Sequence, residues 1–361
     1  MSDFHTPLCD LLGSRYPIVQ TGMGYVTGSD LVAATTNAGG FGFLAGATIA
    51  ADQIEAEITR VRELTGDKPF GLNFHMFQPN AAQLLDLAVK HRIRAVSYGR
   101  GPDKKVIGRL RDAGIVCMPT VGALKHAQKA IEMGANVITI QGAEGGGHTG
   151  SVPTSVLLPQ VVDAVKVPVV AAGGFFDGRG LLAALAYGAQ GIAMGTRFLM
   201  STDNRVPRST LERYVNAKDV EKIQVSYLVD GMPQRMIPNE YLAMLEKASP
   251  LTRLRLALRL AQRYKAQTGM TSAHALKVFW QGLREDAGSV AQTVMAANAP
   301  MLLQRSMIEG NPAEGVMAAG QVAALINRLA SCQEIIDGII TQARERRAAL
   351  MAISAAGGSH V

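Results

Sequence analysis

Cysteine is scarce in this 361-residue chain: Cys9, Cys117 and Cys332 stand far apart, with no paired spacing. That excludes a disulfide framework and a cysteine-rich metal site, and it fits a reducing compartment. Only 18% of the residues are charged against 48% hydrophobic, so the chain lacks the charge excess of a disordered protein and can bury a large core. No eighteen-residue apolar run is free of charges or breaks, and the first residues, MSDFHTPLCDLLGSRYP, offer neither a basic start nor an apolar signal core. The expectation is a soluble, unsecreted, cytoplasmic protein. Several catalytic signatures are missing too. There is no G-x-G-x-x-G after the first strand-like run, no H-E-x-x-H and no G-x-S-x-G. A Rossmann dinucleotide site, a zinc mechanism and a serine-hydrolase elbow therefore lack support.

What the chain does have is glycine, 38 residues of it, and a net charge of +7. Both are unevenly placed. Residues 1–200 hold 28 of the glycines and 17 basic against 15 acidic groups, while Lys247 to Arg284 carries eight Lys or Arg and no acid. The chain thus divides into two kinds of material near residue 200.

In the first part, short apolar runs alternate with segments of helical periodicity, the pattern of a parallel sheet wound with helices. Strands are expected at 16–22, 41–46, 70–76, 95–99, 116–121, 137–142, 168–173 and 191–198. Helices are expected at 29–38, 51–65, 81–91, 104–113, 124–133, 154–165 and 178–187. Eight such units in about 200 residues fit a (β/α)8 TIM barrel better than an open sheet, although no pattern shows closure directly. Residues 201–304 read as a mostly helical second domain inserted before the last barrel helices, with the barrel formed by 1–200 and 305–361.

Barrel active sites form at the C-terminal strand ends, and the glycines gather there: Gly22 and Gly24 after strand one, Gly142 and Gly145 to Gly147 after strand six, Gly173-Gly174 after strand seven, Gly195-Thr196 at strand eight. Any one of these turns could use glycine for steric reasons alone. Together, and with 173–174 beside 195–196, they suggest a phosphate cradle. His148 follows strand six in a loop with five glycines in nine residues, and imidazole is the usual general acid or base near neutral pH. His75 could also face the site, with a packed rim histidine as the plainer reading. With a cradle, one imidazole and no metal or nucleophile motif, an organic cofactor should supply the reactivity.

Pro17 through Gly24, Pro69 through Asn73, Gln141 through Gly150, Val169 through Gly178 and Met194-Gly-Thr-Arg-Phe198 resemble the motif set of the nitronate monooxygenase (2-nitropropane dioxygenase) family, which also includes FMN-dependent enoyl-acyl-carrier-protein reductases and NADH:quinone reductases. Val316 through Ala324 resembles the segment by which these proteins return to the barrel. The resemblance implies FMN at the barrel mouth. Gly22, Met23 and Gly24 would line the flavin ring and Asn73 would bond near its reactive edge. Gln141, Gly146 and Gly147 would flank the ring or ribityl chain, and Gly173, Gly174, Gly195 and Thr196 would hold the phosphate. His148 matches the family's catalytic histidine. Some members carry a lysine on strand five, where this chain has Met118-Pro119-Thr120, closer to the reductase-like members. The redox partner, O2, NAD(P)H or a quinone, is thereby left open, as is a homodimer.

The leading reading is an FMN-dependent oxidoreductase of the nitronate monooxygenase type that oxidises an alkyl nitronate-like carbanion with O2 as acceptor; the alternatives are a reductase or dehydrogenase of a coenzyme A or acyl-carrier thioester, of the enoyl-reductase or sterol-ring-degradation kind, and an NAD(P)H:quinone reductase. Arg255, Arg259 and Arg263 fall at i, i+4 and i+8 on one helical face, which is either a solvated face or a handle for the phosphates of a coenzyme A ester. The stretch 252–265 lacks interfacial tryptophan, and no nucleic-acid motif accompanies it. A non-catalytic flavin sensor and a phosphosugar lyase or isomerase on the same barrel are the remaining alternatives.

Overall fold

The computed structural model describes residues 3–75, 80–99, 104–249, 251–252, 255–256 and 299–357. The first apolar runs form β1 (Ile18–Gln20), β2 (Phe41–Ala45), β3 (Gly71–Asn73), β4 (Ala95–Tyr98), β5 (Val116–Val121) and β6 (Ile138–Gln141). A two-residue β7 (Gly147–His148) precedes β8 (Val169–Ala172) and β9 (Gly191–Met194). All but β7 are parallel and close into one barrel in chain order, with Ile18 opposite Ile192 at the seam. Turn glycines finish the apolar runs one or two residues beyond β1, β2, β4, β6 and β8, β5 matches its run, β3 stops at Asn73, and residues 196–198 of the last expected strand instead begin a helix (Thr196–Leu199). A short helix, α1 (Pro7–Leu12), precedes the barrel, and α2 (Ser29–Asn37), α3 (Ile54–Thr65), α4 (Ala81–Lys90), α5 (Lys104–Asp112), α6 (Leu124–Met133), α7 (Thr154–Ala164) and α8 (Gly178–Ala186) lie between its strands.

The inside of the barrel is filled by alternate residues of the strands, as the two-residue period requires. Val19, Phe41, Phe43, Ala95, Val116, Met118, Val170, Ala172 and Ala193 form one buried cluster, with the Phe41 and Phe43 rings edge to face at 5.1 Å. Leu8 and Leu12 of α1 join that cluster and stopper the N-terminal end. The other faces of the strands pack on the helices through two further clusters. The helix layer is completed from far down the chain: α13 (Cys332–Gly357) packs on α8 and α2, placing Ile336, Ile339 and Ile340 in the core.

Between β9 and α13 lie α9 (Thr196–Leu199), α10 (Arg208–Asn216), β10 (Gln224–Ser226), β11 (Gln234–Met236), α11 (Glu240–Lys247) and α12 (Ala299–Met307). The hairpin of β10 and β11 was not expected, since three-residue strands are too short to show alternation. It joins β7 in a three-stranded sheet, with Gln234 opposite His148. Among the described residues, no helix is long and apolar enough to cross a membrane.

Candidate active site

The mouth of the barrel collects the glycine-rich strand ends. After β1, the backbone of Gly22 lies directly on the Asn73 side chain, leaving no room for a Cβ. Asn73 ends β3 and donates its Nδ2 to the Ser97 carbonyl at 3.1 Å and to Ser97 Oγ at 2.8 Å, so its Oδ1 is the polar atom left over. Met23 is half-buried, and Gly24 abuts Thr48. Met23 Sδ lies 3.4 Å from where a Cβ on Gly195 would sit, which brings the turn after β1 against the end of β9.

On the neighbouring side, Ala172 of β8 pairs with Ala193 of β9, and each strand then runs into glycine. Gly173 and Gly174 follow each other at φ +89° and +85°, a left-handed pair that turns successive amides to one side. A Cβ on Gly173 would also lie 2.9 Å from the Gly142 carbonyl oxygen. The amides of Gly174, Gly195 and Thr196 donate to no protein acceptor among the described residues. Such a set of uncommitted main-chain donors suits an anionic group. The Thr196 hydroxyl accepts from the Gly320 amide at 2.9 Å.

The loop after β6 is held at both ends. Gln141 donates its Nε2 to the His148 carbonyl at 2.8 Å, clasping the loop across its base. Glu144 accepts from the Thr154 amide at 3.0 Å and from the Thr154 hydroxyl at 2.8 Å, capping α7 where Pro153 has no side-chain acceptor. Gly142 passes too close to Thr154, and Gly146 too close to the Ala319–Gly320 backbone, to carry a side chain. Part of the glycine content of this loop is therefore explained by packing within the protein. Gly147, at φ +68°, has open space where its Cβ would be.

His148 leaves this loop as part of β7, and 54% of its side chain is exposed. Its Nε2 lies 2.7 Å from Asp230 Oδ2 and 3.1 Å from Gln234 Nε2. Asp230 is 82 residues away in sequence and only 2% of its side chain is exposed. Burial works to raise its pKa, but the His148 contact, the Met232 amide on Oδ1 at 3.1 Å and the Gln234 amide group outweigh it and hold the carboxyl below its ordinary value. Arg235 donates to the Ala143 carbonyl at 3.0 Å and to the Ile223 carbonyl at 2.7 Å, fixing the loop to the hairpin. The returning segment lies over both: Ala319 donates to the Arg235 carbonyl and Gln321 to the Glu144 carbonyl.

The structure thus brings Gly22, Met23, Gly24, Asn73, Gln141, Gly146, Gly147, His148, Gly173, Gly174, Gly195 and Thr196 to one rim. His75 is an exposed residue beyond β3, its ring 3.7 Å from a Cβ position on Gly99. Arg255 is exposed, and Arg259 and Arg263 lie outside the described residues. Sequence reasoning did not find Asp230, Gln234 or Arg235. The Asp230-Gly231 step reads as an ordinary turn, and only the pairing of β11 with β7 reveals the neighbour it has. Among the described residues no group of three His, Cys, Asp or Glu could hold a metal ion.

The sequence model of the nitronate monooxygenase family matches residues 5–86 and 79–342. The chain is 45% identical to a (3aS,4S,5R,7aS)-5-hydroxy-7a-methyl-1-oxo-octahydro-1H-indene-4-carboxyl-CoA dehydrogenase of Rhodococcus jostii, over 98% of this chain and all of that one. It is 31% identical to a probable nitronate monooxygenase of Staphylococcus saprophyticus over 66% of this chain and 79% of that one. Among solved structures, FabK from Thermotoga maritima superposes with a TM-score of 0.76 at 29% identity, covering 97% of this chain and 99% of that one.

Proposed function

The chain belongs to the nitronate monooxygenase family, and from that premise we propose that it is an FMN-dependent dehydrogenase of a coenzyme A thioester carried on a small fused-ring acid. It is an oxidoreductase acting on a small molecule, and its family is one of flavoenzymes. The single observation that carries the choice of substrate is the end-to-end similarity to a dehydrogenase named for such a thioester.

The rim suits FMN. Gly173, Gly174, Gly195 and Thr196 would take the phosphate, where uncommitted amides gather. Gly22, Met23 and Gly24 would line the ring, Asn73 would offer it Oδ1, and Gln141, Gly146 and Gly147 would flank it. When bound, FMN supplies a two-electron acceptor. The chain's own part is proton chemistry. A thioester acidifies the carbon next to it, and His148 would take that proton as general base. Loss of the proton from the α-carbon and of a hydride from the β-carbon would leave an α,β-unsaturated thioester, the hydride's two electrons going to FMN, and turnover would require O2, NAD(P)+ or a quinone to take them onward. Residues 201–304 would form the substrate-facing domain, with Arg255, Arg259 and Arg263 meeting the coenzyme A phosphates and His75 at the rim.

A nitronate-like carbanion oxidised with O2 is the second reading, favoured by the family itself and by the staphylococcal relative. Anaerobic mixing decides between them. The flavin of the pure protein should bleach rapidly with a fused-ring acyl-coenzyme A, and NMR of the product should show a new ring double bond beside the thioester. Rapid bleaching by propionate 3-nitronate with none by acyl-coenzyme A esters would reverse the assignment. A new ketone in place of the double bond would move the hydride donor to the hydroxyl-bearing carbon.

A further inference from the structure

The contact between His148 and Asp230 dictates which ring nitrogen carries the proton. Asp230 Oδ2 sits 2.7 Å from Nε2, and an ionised carboxylate can only accept. Gln234 Nε2 is a donor and lies beside both, on Asp230 Oδ2 and 3.1 Å from His148 Nε2. If Nε2 of His148 were bare, its lone pair would face the carboxylate's. With a proton on Nε2 the imidazole and the Gln234 amide group both donate to Oδ2, the Met232 amide donates to Oδ1, and the buried carboxylate is fully served. The approach of Gln234 to His148 is then a side-by-side contact of two donors to one acceptor. Nδ1 of His148 meets no protein partner among the described residues, on a side chain half open to solvent.

We propose that Asp230 is a positioning residue that locks neutral His148 as the Nε2–H tautomer, so that Nδ1 is the nitrogen that takes the substrate proton. The inference rests on the reading of His148 as the base and deepens it. When Nδ1 accepts the proton, the imidazolium forms against a carboxylate already in place, so no group reorganises as the charge appears. Gln234 keeps the carboxylate turned toward the ring, and it does so from the strand that pairs with His148 itself. The base is therefore assembled from two separate parts of the chain.

The tautomer can be read without turnover. In the flavin-loaded protein carrying 15N-histidine, with signals assigned by their loss in His148→Gln, the neutral ring should show a protonated Nε2 and an unprotonated Nδ1. Asp230→Asn keeps the shape but can turn a donor toward Nε2, so its ring should shift toward Nδ1–H. With the flavin still bound, kcat should fall about 10²–10⁴-fold, the usual worth of a positioned base, with KM little changed. A proton on Nδ1 in the wild-type protein overturns the proposal, as does an Asp230→Asn protein with wild-type tautomer and kcat. If that variant loses its flavin, the wild-type tautomer alone decides. Turnover is followed on whichever carbon acid bleaches the wild-type flavin, so a failed thioester reading leaves this test intact.

Discussion

Around one barrel mouth, Gly174, Gly195 and Thr196 present main-chain amides that follow two neighbouring strands, whereas His148 and Asp230 present side chains that meet only because a hairpin from residues 224–236 pairs with the loop after β6. The first arrangement needs nothing beyond local backbone geometry and the register of adjacent strands. The second needs a buried carboxylate, an amide side chain to hold it, and a register set 86 residues away. On the proposed roles, binding would be written into turns, while proton transfer would be assembled across the fold.

The sharpest test of this division is His148→Ala. Turnover should drop by about 10²–10⁴-fold, while flavin absorbance of the purified protein stays at wild-type stoichiometry, because none of the amide donors involves this side chain. A colourless His148→Ala protein would break the division. Gly173→Ala probes the other side. An L-residue at φ +89° carries ~1–3 kcal/mol of strain, and its Cβ would press on the Gly142 carbonyl. FMN titration of the apoprotein should show affinity weakened about 5- to 150-fold, with kcat near wild type once the cofactor is saturating.

Acid unfolding addresses the buried carboxylate. Asp230 titrates below the ordinary carboxyl value of 3.8 in the folded protein, so between that lowered value and 3.8 the unfolded chain binds more protons. Its stabilisation is complete above about 3.8 and disappears as pH falls through the folded-state value. Asp230→Asn should flatten the acid limb of the stability profile, and an unchanged slope would mean the carboxylate contributes nothing. The smallest effect belongs to Arg255→Ala. On an exposed residue it should raise KM for a coenzyme A ester a few-fold at low salt, the difference shrinking as ionic strength rises. An equal effect on a pantetheine thioester lacking the nucleotide phosphates would remove Arg255 from the phosphate handle.

The same contrast explains what could be read from the sequence. β5 and α6 fall at 116–121 and 124–133 as periodicity predicts, most other barrel strands stop a residue or two early, where turn glycines extend the apolar run without joining the ladder, and the run expected at 191–198 passes after Met194 into α9. The glycine-rich rim was legible because positive φ and close approach restrict residue choice. Asp230, Gln234 and Arg235 left no comparable trace. Each is a common polar residue in a short segment, and its meaning comes from the partner that tertiary pairing supplies. The hairpin itself was hidden for the same reason, in a stretch read as helical.

The docking of α13 against α8 and α2 has a bearing on how the protein is made. All eight barrel strands have been synthesised by residue 194, yet the groove between α2 and α8 waits for residues 332–357. For well over a hundred residues of synthesis the nascent chain holds an apolar seam that only its own C-terminal end can cover. That interval is when a chaperone would have something to grip, and when a truncated message would yield a chain prone to aggregate.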